Sequence, residues 1–504
     1  MKYFQLKKSY TNSNFFFIIL LSVQFLISRV IIFFSSAKFD IRDLSGLGQH
    51  LDIKDLTDSN FIEILINLNS QPPLWNILIS SFLKLSHGNI EIFEIIFYAF
   101  HLGLSFCITI LIFFITHEVS NNKLLALITA SIYVSLSSSY FYELLLFYPL
   151  LTAFLMTSMI GGLVFLLAEN SSNKAILIFG IFSILSAFFL GLTWSLFHPL
   201  IIIFFSIYIL YIMRIKLTNS FFSKNIKNYF FLIMIFFVTL INFAWPIKNY
   251  VLFREFSSST WLGMNLAQVS PINLYKECNM YNDLLPAEIN ESRKISKFMD
   301  KAESNFSVDK YKNDIKNYKV VSSQIPNMNH IGYVSRSKKC KSLFFSSLKK
   351  EPHIYLFKRM QRFLFSHTIL SDNFWYSPLN LEVDSDSLIK SSTRIRNLIY
   401  FPIFKYKSRQ HHLAPLVFPL FYILFPVYVL KNKNQFFPNT TTKNFFLASL
   451  FFFLWLEIAG HLLNGGEQER MRFTIEPLFL SFAANLIYLF FKRLKFKSFN
   501  KLKI

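Results

Sequence analysis

Long apolar runs separated by short polar and basic segments make up most of the chain. A helix needs roughly 20 apolar residues to cross the hydrocarbon core of a bilayer. We predict ten such spans: Phe15–Ser36, Ile92–Ile115, Leu124–Ser139, Leu144–Ala168, Ala175–Leu192, Leu196–Met213, Tyr229–Ile247, His412–Leu430, Asn444–Leu463 and Thr474–Phe491. The pattern predicts an all-α polytopic membrane protein of about ten transmembrane helices.

The composition leads to the same fold class. Hydrophobic residues make up 53% of the 504 residues and charged residues 16%, whereas soluble domains are about 25% charged. A disordered or collagen-like chain is excluded as well. The first span is too long for a signal peptide and has no small-residue cleavage site after it, so we expect it to be a membrane anchor.

The chain has a net charge of +22, and the distribution of its basic residues predicts its orientation in the membrane. With the N-terminus in the cytoplasm, the short inner segments hold 18 Lys and Arg against two acidic residues, and the first outer segment holds four basic and seven acidic residues. Basic residues favour the cytoplasmic side, so we expect both termini there, in a bacterial inner membrane. We expect no nucleic-acid partner.

Three regions follow from these spans. Residues 1–255 form an N-terminal membrane region with a first outer loop, residues 37–91. Residues 256–411 form a large outer domain of mixed or α structure, and residues 412–504 form the last helices and a basic tail. Within the first loop, Phe61, Ile64, Leu65 and Leu68 have helical spacing, which predicts a short helix lying on the membrane surface.

Two of the three cysteines, Cys278 and Cys340, lie in the large outer domain. An oxidising compartment permits a disulfide between them, and two unpaired thiols are an equal alternative at this point.

Two carboxylates close to the outer interface are candidates for chemistry. Asp40 and Asp43 follow the first span by four and seven residues. A carboxylate there could meet both a lipid head group and a water-soluble acceptor, because it stands at the boundary between the two phases. An ordinary solvated loop carboxylate is the alternative.

The other candidates lie on the same predicted side. Gln71-Pro72-Pro73-Leu74-Trp75 forms a stiff turn at the end of the first loop, because two prolines exclude a helix there. Three basic residues lie at the outer ends of spans: Arg470, Arg472 and Lys248. They could bind a phosphate, for which a guanidinium is well suited. The alternative is that each side chain only extends its charge from the membrane edge into water. Glu143 and His198 could line a cavity, although packing is the simpler role for each. Trp75, Trp194, Trp245 and Trp261 could stack on a sugar, and we favour an interfacial belt for them.

These motifs, in this order, resemble the GT-C glycosyltransferases, in the group of the protein mannosyltransferases and the lipid A aminoarabinose transferase. The resemblance covers residues 15–255 and 444–491 and rests on short motifs. They are Asp40 after the first span, the Gln71–Trp75 turn, Tyr148-Pro149-Leu150-Leu151-Thr152, Gly191-Leu192-Thr193-Trp194, Trp245-Pro246-Ile247-Lys248-Asn249-Tyr250, and Arg470-Met471-Arg472-Phe473 with Pro477.

The chain departs from the family pattern at three positions. Where the family often has Asp-Glu, this chain has Asp40-Ile41-Arg42-Asp43. Gln71 stands where the family's turn has a histidine, and Trp194 stands where the family has a basic residue. Lys248 and His198 are the candidates to replace that missing basic residue.

The resemblance implies an inverting transfer of a sugar from a polyprenyl-phosphate carrier to a glycan, lipid or protein acceptor. Asp40 or Asp43 would be the general base, and Arg470, Arg472 and Lys248 would bind the donor phosphate. No further cofactor is implied, and a metal requirement is left open. A lipid-linked polysaccharide polymerase or ligase and a transporter or flippase are the alternatives. The lack of an internal repeat argues against the last of these.

Overall fold

The computed structural model of the chain is an assembly of long helices. In the part of the chain that it describes, eight helices are long and apolar enough to cross a membrane, and a pair that meets at a bend of 55° would make a ninth crossing. The chain is therefore an integral multi-pass membrane protein. The structure describes residues 2–34, 39–41, 44, 51–169, 171–217, 224–278, 285, 287–288, 329–366, 402–406, 409–412, 425, 437, 439–463 and 468–501.

The elements in chain order are α1 (Lys2–Phe34), α2 (Ile53–Thr57), α3 (Phe61–Asn67), α4 (Leu74–Leu85), α5 (Ile90–Ser120), α6 (Lys123–Ser135), α7 (Ser137–Glu143), α8 (Pro149–Leu167), α9 (Asn173–Thr193), α10 (Pro199–Lys216), α11 (Lys224–Phe253), α12 (Leu262–Gln268), α13 (Tyr275–Cys278), α14 (Gly332–Lys350), α15 (Pro352–Ser366), β1 (Pro402–Tyr406), β2 (Arg409–His412), α16 (Thr440–Leu463) and α17 (Gln468–Lys501).

The predicted spans correspond to these helices with two corrections. Residues 124–139 do not form one straight span, because the chain bends between α6 and α7. The next span begins at Pro149 and not at Leu144, since residues 144–146 make an extended contact with Asp40. The predicted span His412–Leu430 lies outside the described residues, apart from His412 in β2 and the single residue Phe425.

Helix α8 forms the centre of the membrane part and is buried along nearly its whole length. Its approach to α9 is close at Gly162, where a Cβ atom would meet the Cβ of Ser183 at 2.8 Å. The Ser183 hydroxyl donates to the carbonyl of Met159 on α8 at 2.6 Å. A glycine is therefore needed at position 162 for these two helices to pack.

A buried ion pair stabilises the bend between α6 and α7. The Arg29 guanidinium on α1 binds the Glu143 carboxylate at the end of α7, with Nε to Oε2 at 2.9 Å. It also donates to the Val134 carbonyl at 2.8 Å and to the Ser139 hydroxyl at 3.1 Å. A bend leaves helix carbonyls without their usual partners, and Arg29 supplies a donor to the one at Val134.

The short helix α3 forms where the sequence predicts it, but its apolar residues pack elsewhere. Phe61, Ile64 and Leu65 are buried in the main hydrophobic core of the protein, and Leu68 just after the helix is buried there too. The exposed apolar side chains of this helix are Ile62 and Ile66, one turn apart. The helical spacing of the four predicted residues therefore reflects packing inside the protein, and contact of this helix with the membrane surface stays a prediction.

We define the outer region as residues 254–278 and 329–366. Its helices α13 and α14 are joined by a disulfide. Cys278 and Cys340 form a disulfide with their Cα atoms 5.9 Å apart, which settles the alternative that the sequence left open. Gly263 on α12 lies against α14 so closely that a Cβ there would overlap the carbonyl of Ser337.

The outer region is attached to the end of α11 by Lys338. Its Nζ donates to the carbonyls of Phe253 and Arg254 at 3.3 Å each and lies 3.7 Å from Glu255. Arg254 ends the helix in the left-handed conformation, with φ 54°. Burial lowers the pKa of Lys338 and Glu255 opposes that shift. Lys338 thus places its amino group at a helix C-terminus, where unpaired carbonyls accept hydrogen bonds from basic side chains.

Between the outer region and α16, the structure describes one small sheet. Strands β1 and β2 pair antiparallel, with Phe404 opposite His411 and an irregularity between Pro402 and Phe404. The described residues between α11 and α16 thus contain both helices and strands.

Candidate functional site

Asp40 is fixed by backbone pairing just beyond the first span. Its N–H donates to the carbonyl of Leu144 at 2.7 Å, and its own carbonyl accepts from the N–H of Leu146 at 3.0 Å. This parallel bridge holds the half-buried Asp40 against residues 144–148, which we call the 144–148 segment. Asp43, the competing carboxylate, lies outside the described residues.

Arg470, near the start of α17, reaches the same segment. Its guanidinium carbon lies 5.1 Å from the ring centres of both Phe147 and Tyr148, and 5.3 Å from that of Trp194. Aromatic faces attract cations at such distances, and Arg470 is buried. The three rings therefore hold the guanidinium charge beside the 144–148 segment.

Arg472 lies on the same turn of α17 and is also buried. The residue after it, Phe473, stacks on Tyr142 with ring centres 3.8 Å apart. The next residue, Thr474, makes a 3.0 Å hydrogen bond to Thr152 on α8. The beginning of α17 is thus packed against the chain on both sides of the 144–148 segment.

The Pro-Pro turn joins this group of rings through Trp75. Helix α4 begins directly after Pro73, and the indole of Trp75 lies 6.3 Å from the Tyr148 ring and 6.2 Å from His101. Gln71 has a buried side-chain oxygen, Oε1, with no hydrogen-bond partner among the described residues. The turn therefore places the indole of Trp75 next to the segment that contacts Asp40 and Arg470.

The expected interfacial belt of tryptophans is wrong for three of its four members. Trp75, Trp194 and Trp261 are buried in the protein. Trp194 contacts Arg470, and Trp261 packs on Tyr333 in the outer region. Trp245 is partly buried and its ring contacts Lys248.

Lys248 is engaged with the first outer loop. Its Nζ donates to the carbonyl of Leu68 at 2.5 Å and lies 3.7 Å from the ring centre of Trp245. The ammonium group therefore fixes the chain three residues before Gln71.

A set of polar residues that the sequence analysis did not single out fixes the same stretch. The N–H and the hydroxyl of Ser70 donate to Oδ1 of Asn329, at 3.1 and 2.6 Å. The Asn69 amide donates to the Asn329 carbonyl at 2.8 Å, and Thr260 donates to Asn69 Oδ1 at 2.7 Å. Residues 69 and 70 are thus tied to the outer region. Hydropathy carries no signal for such contacts, because their partners are up to 260 residues apart.

Two further candidate residues have structural roles. Glu143 is buried and bound by Arg29. His198 is exposed at the start of α10, where its Nδ1 accepts from the N–H of Leu200 at 3.3 Å as a helix cap. In the described part of the chain, no three His, Cys, Asp or Glu side chains are placed to hold a metal ion.

The arrangement combines two kinds of chemistry at one place. A carboxylate can accept a proton, and guanidinium groups can stabilise an anion through charged hydrogen bonds. Asp40 and Arg470 are both anchored to the 144–148 segment, so a substrate lying along it could meet both.

Comparison with known proteins gives distant similarities only. No family model matches the chain, and no curated protein matches it. Among solved structures, it is similar to the oligosaccharyltransferase AglB from Archaeoglobus fulgidus, in complex with an inhibitory peptide and a dolichol-phosphate (13% identity, TM-score 0.40), over 98% of this chain and 52% of that one. It is also similar to ArnT from Cupriavidus metallidurans in the apo state (10% identity, TM-score 0.30), over 95% of this chain and 77% of that one.

The chain thus spans about half the length of the archaeal protein. Similarity at this level shows no activity for this chain.

Proposed function

We propose that the protein is a membrane glycosyltransferase of the GT-C type, which moves a sugar from a polyprenyl-phosphate carrier to an acceptor on the non-cytoplasmic side. The observation that carries this proposal is the anchoring of Asp40 and Arg470 to the same short segment. The sequence resemblance gives the reaction class, and the membrane-embedded chain suits a donor that is itself held in the bilayer.

In the proposed reaction, the Asp40 carboxylate takes the proton of an acceptor hydroxyl. The oxygen of that hydroxyl forms a bond to the anomeric carbon of the sugar while the bond from this carbon to the carrier phosphate breaks. The phosphate leaves from the opposite face with the bonding electron pair, so the configuration inverts. A general base of this kind contributes typically 10²–10⁴-fold to the rate.

Arg470 and Arg472 stabilise the negative charge on the departing phosphate. Contacts with rings orient the charge of Arg470, and phosphate is bound by the in-plane N–H donors of a guanidinium, so the two roles are compatible. A preorganised cation in a site shielded from water is effective at this task because it needs no rearrangement during the reaction.

Trp194 stands at the position of the family's basic residue, and its role here is to hold Arg470 in place. The family has a basic residue at this position, and in this chain the indole lies 5.3 Å from the Arg470 guanidinium. We therefore assign Arg470 the phosphate contact that the basic residue would make. Lys248 receives a supporting role, since it binds the backbone of the first outer loop.

The proposal is tested by comparing lipids and glycans of the cell envelope by mass spectrometry in cells with and without the gene. The deletion strain is then complemented with the parent, Asp40→Asn, Asp43→Asn and, as the control, Glu91→Gln, which changes an exposed carboxylate in the first turn of α5. We expect loss of a sugar in the deletion strain and in Asp40→Asn, and full restoration by Glu91→Gln.

An unchanged envelope in the deletion strain would remove the proposed function. Full activity of Asp40→Asn together with inactive Asp43→Asn would move the base to Asp43 and leave the transferase in place. Transfer from a lipid-linked monosaccharide by the purified protein separates this enzyme from a polymerase or ligase.

A further inference from the structure

Helix α15 of the outer region exposes three large apolar side chains on one side. Leu356, Phe357 and Met360 are 62%, 59% and 61% exposed. Residues 356 and 360 are one turn apart, and 357 is adjacent, so the three form a single apolar face. Tyr355 and Arg359 of the same helix are buried. The helix therefore packs on the protein with one side and presents an apolar face with the other.

The position of α15 relates this apolar face to the membrane. The hydroxyl of Tyr355 donates to the carbonyl of Leu462 at 2.6 Å. Leu462 is the second-last residue of the membrane-spanning helix α16 (Thr440–Leu463). Helix α15 is thus attached at the C-terminal end of this helix. On α16 itself, one turn before Leu462, Ile458 is exposed.

The charges around the apolar face fit a lipid surface. Residues 349–362 contain five basic residues, Lys349, Lys350, Lys358, Arg359 and Arg362, against one acidic residue, Glu351. Arg359 is buried and Lys358 donates to the carbonyl of Pro271 at 2.5 Å, whereas Lys349 and Lys350, at the end of α14 just before α15, are exposed. A helix with one apolar face and an excess of basic residues binds in the plane of a membrane, where its apolar side enters the acyl region and its cations meet anionic lipids.

We propose that α15 lies on the surface of the bilayer, with Leu356, Phe357 and Met360 inserted among the acyl chains and anionic phospholipid head groups beside its basic residues. The partner is the leaflet at the end of the span Thr440–Gly460. This contact fixes the outer region to the membrane surface, and it holds whether or not the chain is a glycosyltransferase.

The test uses the full chain in nanodiscs of phosphatidylcholine and phosphatidylglycerol. Cys107→Ser removes the free thiol and leaves the disulfide intact. A spin label is then attached to Met360→Cys, and in a second protein to Lys358→Cys. Lys358 is exposed as well, and two residues along a helix is a rotation of about 200°, which places it on nearly the opposite side. Accessibility to oxygen, which partitions into lipid, is compared with accessibility to a water-soluble nickel complex.

We expect the label at position 360 to be more accessible to oxygen and the label at 358 to be more accessible to nickel. Equal or greater nickel accessibility at 360 would overturn the proposal and leave the face for a protein partner or a second copy of the chain. Leu356→Cys repeats the measurement if Met360→Cys does not give a monodisperse protein. In phosphatidylcholine alone we expect a shallower label at 360, and an unchanged depth would overturn the role of anionic lipid.

Discussion

The site around the 144–148 segment and the outer region differ in what holds them together. At the site, apolar helices and rings surround a few charges, such as Arg29 with Glu143 and Arg470 with Trp194. The outer region depends instead on a disulfide and on polar contacts between distant parts of the chain. Helices in a bilayer satisfy their own backbone hydrogen bonds, so side-chain packing determines the structure of the first region. Specific polar contacts and the disulfide determine the structure of the second.

The largest effect is expected from breaking the buried ion pair beside the site. In Arg29→Met the Glu143 carboxylate stays buried without its cation, which costs roughly 3–5 kcal/mol. We expect a lower midpoint of thermal unfolding in nanodiscs, and recovery of most of the loss in the double variant Arg29→Met/Glu143→Leu. Arg214→Met, at an exposed position, is the control. An unchanged midpoint in Arg29→Met would show that the pair does not stabilise the bend.

In the outer region, the comparable change is loss of the disulfide. Its cysteines are 62 residues apart, and a cross-link over such a loop contributes about 4 kcal/mol in the chain-entropy model. We expect faster backbone hydrogen exchange in α12 and α14 of Cys278→Ser/Cys340→Ser, with α8 unchanged. Cys107→Ser should match the parent. Equal acceleration in α8 would mean that the two regions do not differ in the way described.

A smaller effect is expected at the contact between the two regions. Asn329→Ala leaves the buried N–H of Ser70 without its acceptor, which costs about 1–3 kcal/mol. We expect faster hydrogen exchange at residues 68–71 and a higher KM for the lipid-linked donor. Asn329→Asp keeps an acceptor oxygen and should lie nearer to the parent. If Asn329→Ala exchanges like the parent, this asparagine does not fix the Pro-Pro turn.

The smallest effect is expected at the ring that orients Arg470. Trp194→Leu removes one cation–ring contact, worth about 0.5–2 kcal/mol, so the dissociation constant for polyprenyl phosphate should rise by a few-fold to about 30-fold. Trp194→Phe should lie between the two. Trp261→Phe, in the outer region, is the matched control. Weaker binding in Trp261→Phe but not in Trp194→Leu would contradict the role given to Trp194.

The sequence predicts the membrane helices well because their signal is local. An apolar run of fixed length is enough to identify a span. Within the described ranges, the bend after Ser135 and the 144–148 segment depart from that rule. The bend was missed because it depends on Arg29, which is more than 100 residues away from its partners.

The site was predicted only in part. Motif order placed Asp40, Trp75 and Arg470 on one membrane side, and all three lie along the 144–148 segment or its rings. The role of Asn329 could not be predicted, because an asparagine in a long polar loop has no pattern that identifies its partner. The burial of Trp194 was equally hidden, since an interfacial and a packed indole look alike in a sequence.

The central claim is that a proton acceptor and a phosphate-binding cation meet at the 144–148 segment. The most direct measurement is a structure determined by electron cryo-microscopy of the full chain in nanodiscs with polyprenyl phosphate added. We predict phosphate density beside Arg470 and Arg472, on the side of the segment reached by Asp40. Phosphate density remote from these residues, or at the opposite membrane face, would contradict the account.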